Sequence, residues 1–172
     1  HYASAISDRL FKRTLDTFDH IISVSDYVRS DLIGRGFPSD KVTTATPCLD
    51  RYPEITGEED DFILYVGRLV RTKGLDYLVK AMQDVDTKLI ICGKGPDMER
   101  LKKKIERYGV SDKVEMKGWV SEEEKDHYMS RCKLFVMPSL YESYGLAALE
   151  ILSYGKPVIC TNVDGLPMTV QD

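Results

Sequence analysis

Phe62-Ile63-Leu64-Tyr65-Val66-Gly67-Arg68-Leu69-Val70-Arg71-Thr72-Lys73-Gly74 is a short apolar run that ends on glycine and passes into a cationic loop closed by a second glycine. An apolar run without polar alternation, bounded by glycine, predicts a strand covered on both faces. Leu75, Leu78, Val79 and Met82 follow at i, i+3, i+4 and i+7, which is one stripe of an amphipathic helix. Lys88 to Cys92 is the next strand, stopped by Gly93-Lys94-Gly95-Pro96. Met98, Leu101, Ile105 and Tyr108 line the face of a second helix that Gly109 caps. Lys113 to Met116 is a brief strand before Gly118. A helix from about Ser121 follows, with Glu124 completing a capping box. Leu134 to Met137 is a strand closed by Pro138, and an unusually apolar helix runs from about Gly145 to Tyr154. Gly155-Lys156-Pro157 then turns into the strand Val158 to Cys160. Strand and helix alternate throughout, and the strands are continuously apolar. The expectation is therefore an α/β fold, a Rossmann-like doubly wound parallel sheet with right-handed crossovers.

Outward from this block the pattern changes. Residues 1–46 carry a helical stretch from Ser4 to about Thr17, a strand at Ile21 to Ser25, a helix to about Gly36 and a strand near Lys41 to Thr46. Residues 47–61 are rich in proline, glycine and acid, the composition of a linker, so the second domain is expected to begin at 62 and run to 172. Gly165-Leu166-Pro167 starts a further element near the end. The chain opens on His1 rather than Met, which reads as a piece of something longer.

Composition narrows the function. The chain has 172 residues, 42% hydrophobic and 30% charged, enough to bury a core without disulfide or metal staples. A net charge of −4 gives no footprint for nucleic acid. No apolar run approaches the roughly 18–20 residues of a membrane span. Cys48, Cys92, Cys132 and Cys160 form no C-x-x-C pair, and no histidine lies near enough for zinc spacing. Reduced thiols in a cytoplasmic setting, with no metal, is the reading that follows.

In open α/β sheets, ligands bind beyond the carboxyl ends of the strands. That rule selects the loops after Val66, Cys92, Met116, Met137 and Cys160. Arg68 and Lys73, with Gly67 and Gly74 around them, suit a diphosphate: arginine offers a planar fork and lysine a point charge. Taken alone, those cations read more readily as solvated surface charge. Glu142 and Glu150 bracket Ser143-Tyr144-Gly145-Leu146-Ala147-Ala148-Leu149. A helix starting near Tyr144 would present free N–H groups and its positive end to an anion. Glu150 lies among Leu149, Ile151 and Leu152 and is expected to be partly buried, so it needs a hydroxyl-rich ligand or a cation as partner.

Gly67-Arg68-Leu69, Lys73-Gly74, Gly93-Lys94-Gly95-Pro96, Gly118-Trp119-Val120, Pro138-Ser139, Glu142-Ser143-Tyr144-Gly145-Leu146, Glu150, Gly155-Lys156-Pro157-Val158 and Gly165-Leu166-Pro167 form an ordered series. In that order they resemble the C-terminal, donor-binding half of a retaining glycosyltransferase of family 4, with the GT-B architecture of two Rossmann-like domains. The resemblance spans residues 20 to 170. It implies that Arg68 and Lys73 hold the pyrophosphate of a nucleoside-diphosphate sugar, helped by backbone amides near Ser143, Tyr144, Gly145 and Leu146. It places Glu142 on donor-sugar hydroxyls, Glu150 on the ribose, and the Lys94-Gly95 and Trp119-Val120 loops around the base. It further implies transfer of a hexose-type sugar with retention by front-face attack, which need not involve a protein nucleophile; the scattered His1, His20 and His127 give no expectation of a metal. The acceptor site would belong to the other half, of which residues 1–46 resemble only the last elements. By that resemblance, a chain carrying this half alone should bind donor weakly and turn over little.

Three departures from the family's pattern stand out. Pro47-Cys48-Leu49-Asp50 replaces a common proline-asparagine-glycine turn, Met168 stands where many members place a glutamate, and by the resemblance residues 1–46 would supply only the last elements of the N-terminal domain. Other features are set aside. Asp84-Val85-Asp86 sits between a helix and a strand, at the wrong sheet edge for a metal motif. Gly93 and Gly95 lack the third glycine of a dinucleotide fingerprint. Lys102-Lys103-Lys104 with Arg100 and Arg107 reads as the wet face of a helix, the alternative being a peripheral contact with anionic lipid. The competing class is a non-catalytic Rossmann-like module that self-associates through an apolar face of residues 4–46. A flavodoxin-like signalling domain would need an acidic pocket where Arg68 and Lys73 stand.

Overall fold

The structure, a computed structural model, describes residues 13, 17–50, 52, 53, 55, 57 and 59–171. The chain divides into two compact units, 1–48 and 49–172. The helix expected from Ser4 to Thr17 lies outside the described residues, as do parts of the expected linker.

In the first unit, β1 (Ile21–Ser23) and β2 (Val42–Thr44) pair in parallel, Ile21 opposite Val42. Helix α1 (Asp26–Gly34) connects them as a βαβ crossover. Ser25 caps α1 by accepting the Val28 N–H at 3.2 Å. Leu32, Phe37 and Val42 form its small core, while Ile22 and Val24 stand exposed.

The second unit holds β3 (Phe62–Val66), α2 (Leu75–Ala81), β4 (Lys88–Cys92), α3 (Met98–Tyr108), β5 (Val114–Gly118), α4 (Glu122–Arg131), β6 (Leu134–Met137), α5 (Leu146–Ser153), β7 (Val158–Cys160) and α6 (Leu166–Thr169). Its five strands are all parallel, in the order β5-β4-β3-β6-β7. Side chains alternate across the pleat and feed two cores. Ile63, Tyr65, Leu89 and Ile91 pack with α2 and α3 through Leu78, Val79, Leu101 and Ile105. Phe62, Leu64, Phe135 and Met137 pack on the other face with Met129 of α4 and Ala148 and Ile151 of α5. The expected doubly wound parallel sheet is the observed fold.

Several boundaries shift by a residue or two from expectation, and two of them have a clear local reason. Strand β5 extends to Gly118 instead of ending at Met116, because a register shift at Ile91/Cys92 brings Gly118 opposite Cys92. Helix α5 begins at Leu146, one residue after its expected start, because Gly145 sits at φ 98° and cannot be helical. The caps of α3 and α4 match expectation: Gly109 is left-handed, and Ser121 and Glu124 complete a reciprocal capping box. All four cysteines are free, and burial pushes the Cys92 thiol up to about 12 and Cys132 up to about 11. Cys92 and Cys132 are inert core residues at neutral pH.

Candidate functional site

Strand order reverses at β3, with β4 and β5 on one side and β6 and β7 on the other. The loops after β3 and β6 lead to helices packed on opposite faces, and by the switch-point rule the crevice for a ligand lies beside them at the carboxyl edge. Of the expected site residues, Gly67, Arg68 and Lys73 lie in the first of these loops, and Glu142, Ser143, Tyr144 and Gly145 in the second.

The two loops are joined by backbone. Arg71–Lys73 forms a 3₁₀ turn, and its Thr72 carbonyl accepts the Leu140 N–H at 2.7 Å. Gly74 ends that turn at φ 66°, and a Cβ there would stand 1.8 Å from the Pro138 carbonyl oxygen. Only glycine fits. Side chains complete the join: the Lys73 ammonium pairs with the Glu142 carboxylate, and both are largely sequestered, at 21% and 12% exposure. Arg68 is exposed and makes no ion pair among the described residues. Beneath it the buried Tyr65 hydroxyl donates to the Arg68 carbonyl at 3.1 Å. Burial, and then the Glu142 charge, hold that phenol above its ordinary range. The result is a crevice with one outward guanidinium, one paired ammonium and one carboxylate, a chemistry suited to an anion that carries hydroxyl groups.

The β4 loop lies alongside. Leu69 N–H donates to the Lys94 carbonyl at 3.0 Å, and Gly93 N–H to the Gly118 carbonyl at 2.6 Å. Gly93, at φ 146°, passes so close that a Cβ would stand 1.8 Å from the Gly67 carbonyl oxygen. Lys94 is exposed, Gly95 half-buried, Trp119 exposed and Val120 half-buried, so these residues form the rim on the β4–β5 side. Leu146 opens α5 and is exposed.

Glu150 lies apart from that crevice, in a cavity of about 360 Å³ lined in part by Asp50, Glu122, Lys125, Asp126 and Ser153. Its expected partial burial holds, and the cation it needs is Lys125, at 3.4 Å. Lys125 also meets Glu122 at 2.7 Å. Burial works against the Lys125 charge, but Glu122 and Glu150 together raise its pKa. Sequence reasoning missed Lys125, which sits on a charged helix and reads as a solvated residue. It also missed Asp164, whose Oδ2 accepts the Glu142 N–H at 3.1 Å. The available signal was the glycine after Asp164, which marks a turn at the carboxyl edge. Among the described residues no cluster of histidine, cysteine or carboxylate groups is arranged for a metal, and no helix is long and apolar enough to cross a membrane.

A doubly wound parallel sheet with its polar residues gathered at the switch point is a Rossmann-like domain of the GT-B type. The chain belongs to the glycosyl transferases group 1 family, whose model matches residues 50–172. It is 30% identical to the gpi3 subunit of phosphatidylinositol N-acetylglucosaminyltransferase from Schizosaccharomyces pombe, over 95% of this chain and 38% of that one. It is also 30% identical to O-antigen chain mannosyltransferase B of Escherichia coli, over 96% of this chain and 49% of that one. Among solved structures, sucrose-phosphate synthase from Thermosynechococcus elongatus superposes with a TM-score of 0.76 at 28% identity, covering 94% of this chain and 45% of the synthase. HepE of Anabaena, in complex with UDP and glucose, superposes with a TM-score of 0.79 at 19% identity, covering 90% and 47%, a likeness of fold. The chain spans about half or less of the length of these curated relatives.

Proposed function

We propose that this chain is the nucleotide-sugar donor-binding portion of a retaining glycosyltransferase that moves a hexose-type sugar from a nucleoside diphosphate to an acceptor. The observation that carries the reading is the Lys73–Glu142 pair across the switch point, with Arg68 open beside it. In this reading the donor diphosphate takes Arg68 and Lys73 and the first amides of α5. Glu142, released from Lys73, accepts hydrogen bonds from sugar hydroxyls. Glu150 takes the ribose, and the rim formed by Lys94, Gly95, Trp119 and Val120 borders the base. That HepE was crystallised with UDP and glucose supports a uridine or related donor.

The catalytic contribution of this half is electrostatic. As the glycosidic bond to the diphosphate breaks, negative charge grows on the leaving oxygen, and fixed cations there lower the barrier. No metal and no protein nucleophile enters this scheme. Positioning of an acceptor needs a second wall facing this one.

Calorimetric titration with UDP, GDP and ADP, repeated with Arg68→Ala and Glu150→Ala, tests the reading. Binding of one nucleotide, weakened in both variants, is the expected result. A folded chain that binds none of the three, or binds equally well in both variants, overturns it in favour of a non-catalytic module.

A further inference from the structure

Glu142 is gripped from a third direction, which the site's cations do not explain. The segment after β7 makes four hydrogen bonds with the backbone of the β6 loop. Thr161 Oγ1 donates to the Ser139 carbonyl at 2.5 Å, and Thr169 Oγ1 to the Tyr144 carbonyl at 2.5 Å. Between them, Asp164 Oδ2 accepts the Glu142 N–H at 3.1 Å, and the Gly165 N–H donates to the Glu142 carbonyl at 2.9 Å. Both backbone groups of Glu142 are thus satisfied by two consecutive residues, while its carboxylate meets Lys73. The strap is packed down: Leu166 is fully buried, and its Cδ2 would stand 2.6 Å from a Cβ on Gly145.

Asp164 is at φ 50°, and among the described residues it is the non-glycine residue at positive φ. Aspartate and asparagine tolerate that region better than other L-residues, and both carry a side-chain oxygen that accepts from backbone. One residue therefore supplies the turn that aims the Gly165 N–H and the acceptor that takes the Glu142 N–H.

We propose that Asp164 is a positioning residue for Glu142. It fixes the backbone of the β6 loop so that the Glu142 carboxylate projects into the crevice at the height of Lys73, without itself touching the reacting atoms. Where this concerns the donor sugar, it rests on the function proposed above; where it concerns the loop, it stands on the geometry alone.

Two substitutions separate backbone from side chain. Asp164→Gly keeps the left-handed conformation and deletes the acceptor, whereas Asp164→Asn keeps both. Amide hydrogen exchange reads the loop directly. The expected result is exchange at the Glu142 amide accelerated about tenfold in Asp164→Gly and restored in Asp164→Asn, with amides of β3 and β4 unmoved. Titration of the same variants with UDP, UDP-glucose, GDP and GDP-mannose reads the site. Asp164→Gly is expected to lower affinity for the sugar nucleotide about tenfold more than for its parent diphosphate. Unchanged exchange at Glu142, acceleration spread evenly over the sheet, failure of asparagine to rescue, or equal loss for diphosphate and sugar nucleotide each overturns the proposal. If the native chain binds none of these nucleotides, the functional reading fails for those donors, and the exchange result alone decides the role of Asp164.

Discussion

Lys73 and Glu142 are 69 residues apart in sequence, yet their charged groups are paired across the switch point between β3 and β6. The pair is sequestered enough to restrain both side chains, and it satisfies the site's ammonium. On the function proposed above, an incoming diphosphate would have to take Lys73 from a carboxylate already in place. In that reading Glu142 is a stand-in anion, available to hydroxyl groups once phosphate displaces it.

The two partners should consequently respond in opposite ways. Lys73→Met is expected to weaken nucleoside-diphosphate binding about 10- to 100-fold, the scale of one or two charge-assisted hydrogen bonds. Its binding should also lose part of the salt dependence of the native chain. Glu142→Gln removes the competitor, so it should tighten the bare diphosphate a few-fold while erasing the extra affinity of the sugar nucleotide. Calorimetry at two ionic strengths checks both, and native-like binding by Lys73→Met would sink the assignment.

Gly74→Ala tests the join between the loops without touching a charge. A Cβ at 1.8 Å from the Pro138 oxygen, on a residue at φ 66°, forces the two loops apart. The expected cost is about 2–4 kcal/mol of stability, combining overpacking with backbone strain. Urea unfolding measures this, and nucleotide affinity should fall in the same variant. A neutral outcome would mean that the loops yield easily and that the crevice is not preformed.

The central strands β3, β4 and β6 were legible because they are covered on both faces and carry almost no polar alternation, whereas β5 alternates and β7 exposes Ile159. Phe62 to Val66 serves two cores at once, and its composition records that. The caps at Ser121 and Gly109 were legible because they depend on neighbours a few residues away. The site was legible as a set of loops, not as a geometry. That Lys73 meets Glu142 depends on β6 lying beside β3, a strand order that local periodicity does not encode. Glu150 announced itself as a charge in an apolar helix, whereas its partner Lys125 sat among other charges, where one more cation carries no signal. Asp164 acts on a backbone N–H, and every residue offers one, so nothing in the sequence of Glu142 points back to it.

Away from the crevice, Arg100 bridges two carboxylates, with Nη1 at 2.6 Å from Asp76 and Nη2 at 2.6 Å from Asp97, and Lys104 joins Asp76 at 2.5 Å. Burial alone would raise the Asp76 pKa, but the hydrogen bonds from Arg100 and Lys104 outweigh it and hold the carboxyl below its ordinary value. The hydrogen bond from Arg100 lowers Asp97 as well. With folded values below the unfolded ones, the unfolded state binds more protons, so stability rises with pH across that window. The contribution is complete above a pH of about 4 to 5 and is lost as pH falls through the native values. Urea unfolding between acid and neutral pH should show native and Asp76→Asn stabilities converging below a pH of about 4. A gap that stays constant with pH would show that Asp76 acts through packing rather than charge.

Glu150 offers the sharpest test of how the nucleotide lies, because its role is separable from that of the cations. Its carboxylate is a third exposed, in a cavity that excludes Arg68, Lys73 and Glu142, and Lys125 neutralises one side of it. If it accepts from ribose hydroxyls, a ribonucleotide should bind better than its 2′-deoxy counterpart by about 1 kcal/mol or more, the net worth of a hydrogen bond to a charged group. Glu150→Gln should shrink that preference and Glu150→Ala should erase it, with both variants retaining the salt dependence set by Arg68 and Lys73. Lys125→Met should weaken the preference without abolishing it, since it frees the carboxylate from its anchor while leaving the acceptor in place. Equal affinity for ribo and deoxyribo forms in the native chain would remove Glu150 from the nucleotide site and leave the Lys125–Glu150 pair as a tie between α4 and α5.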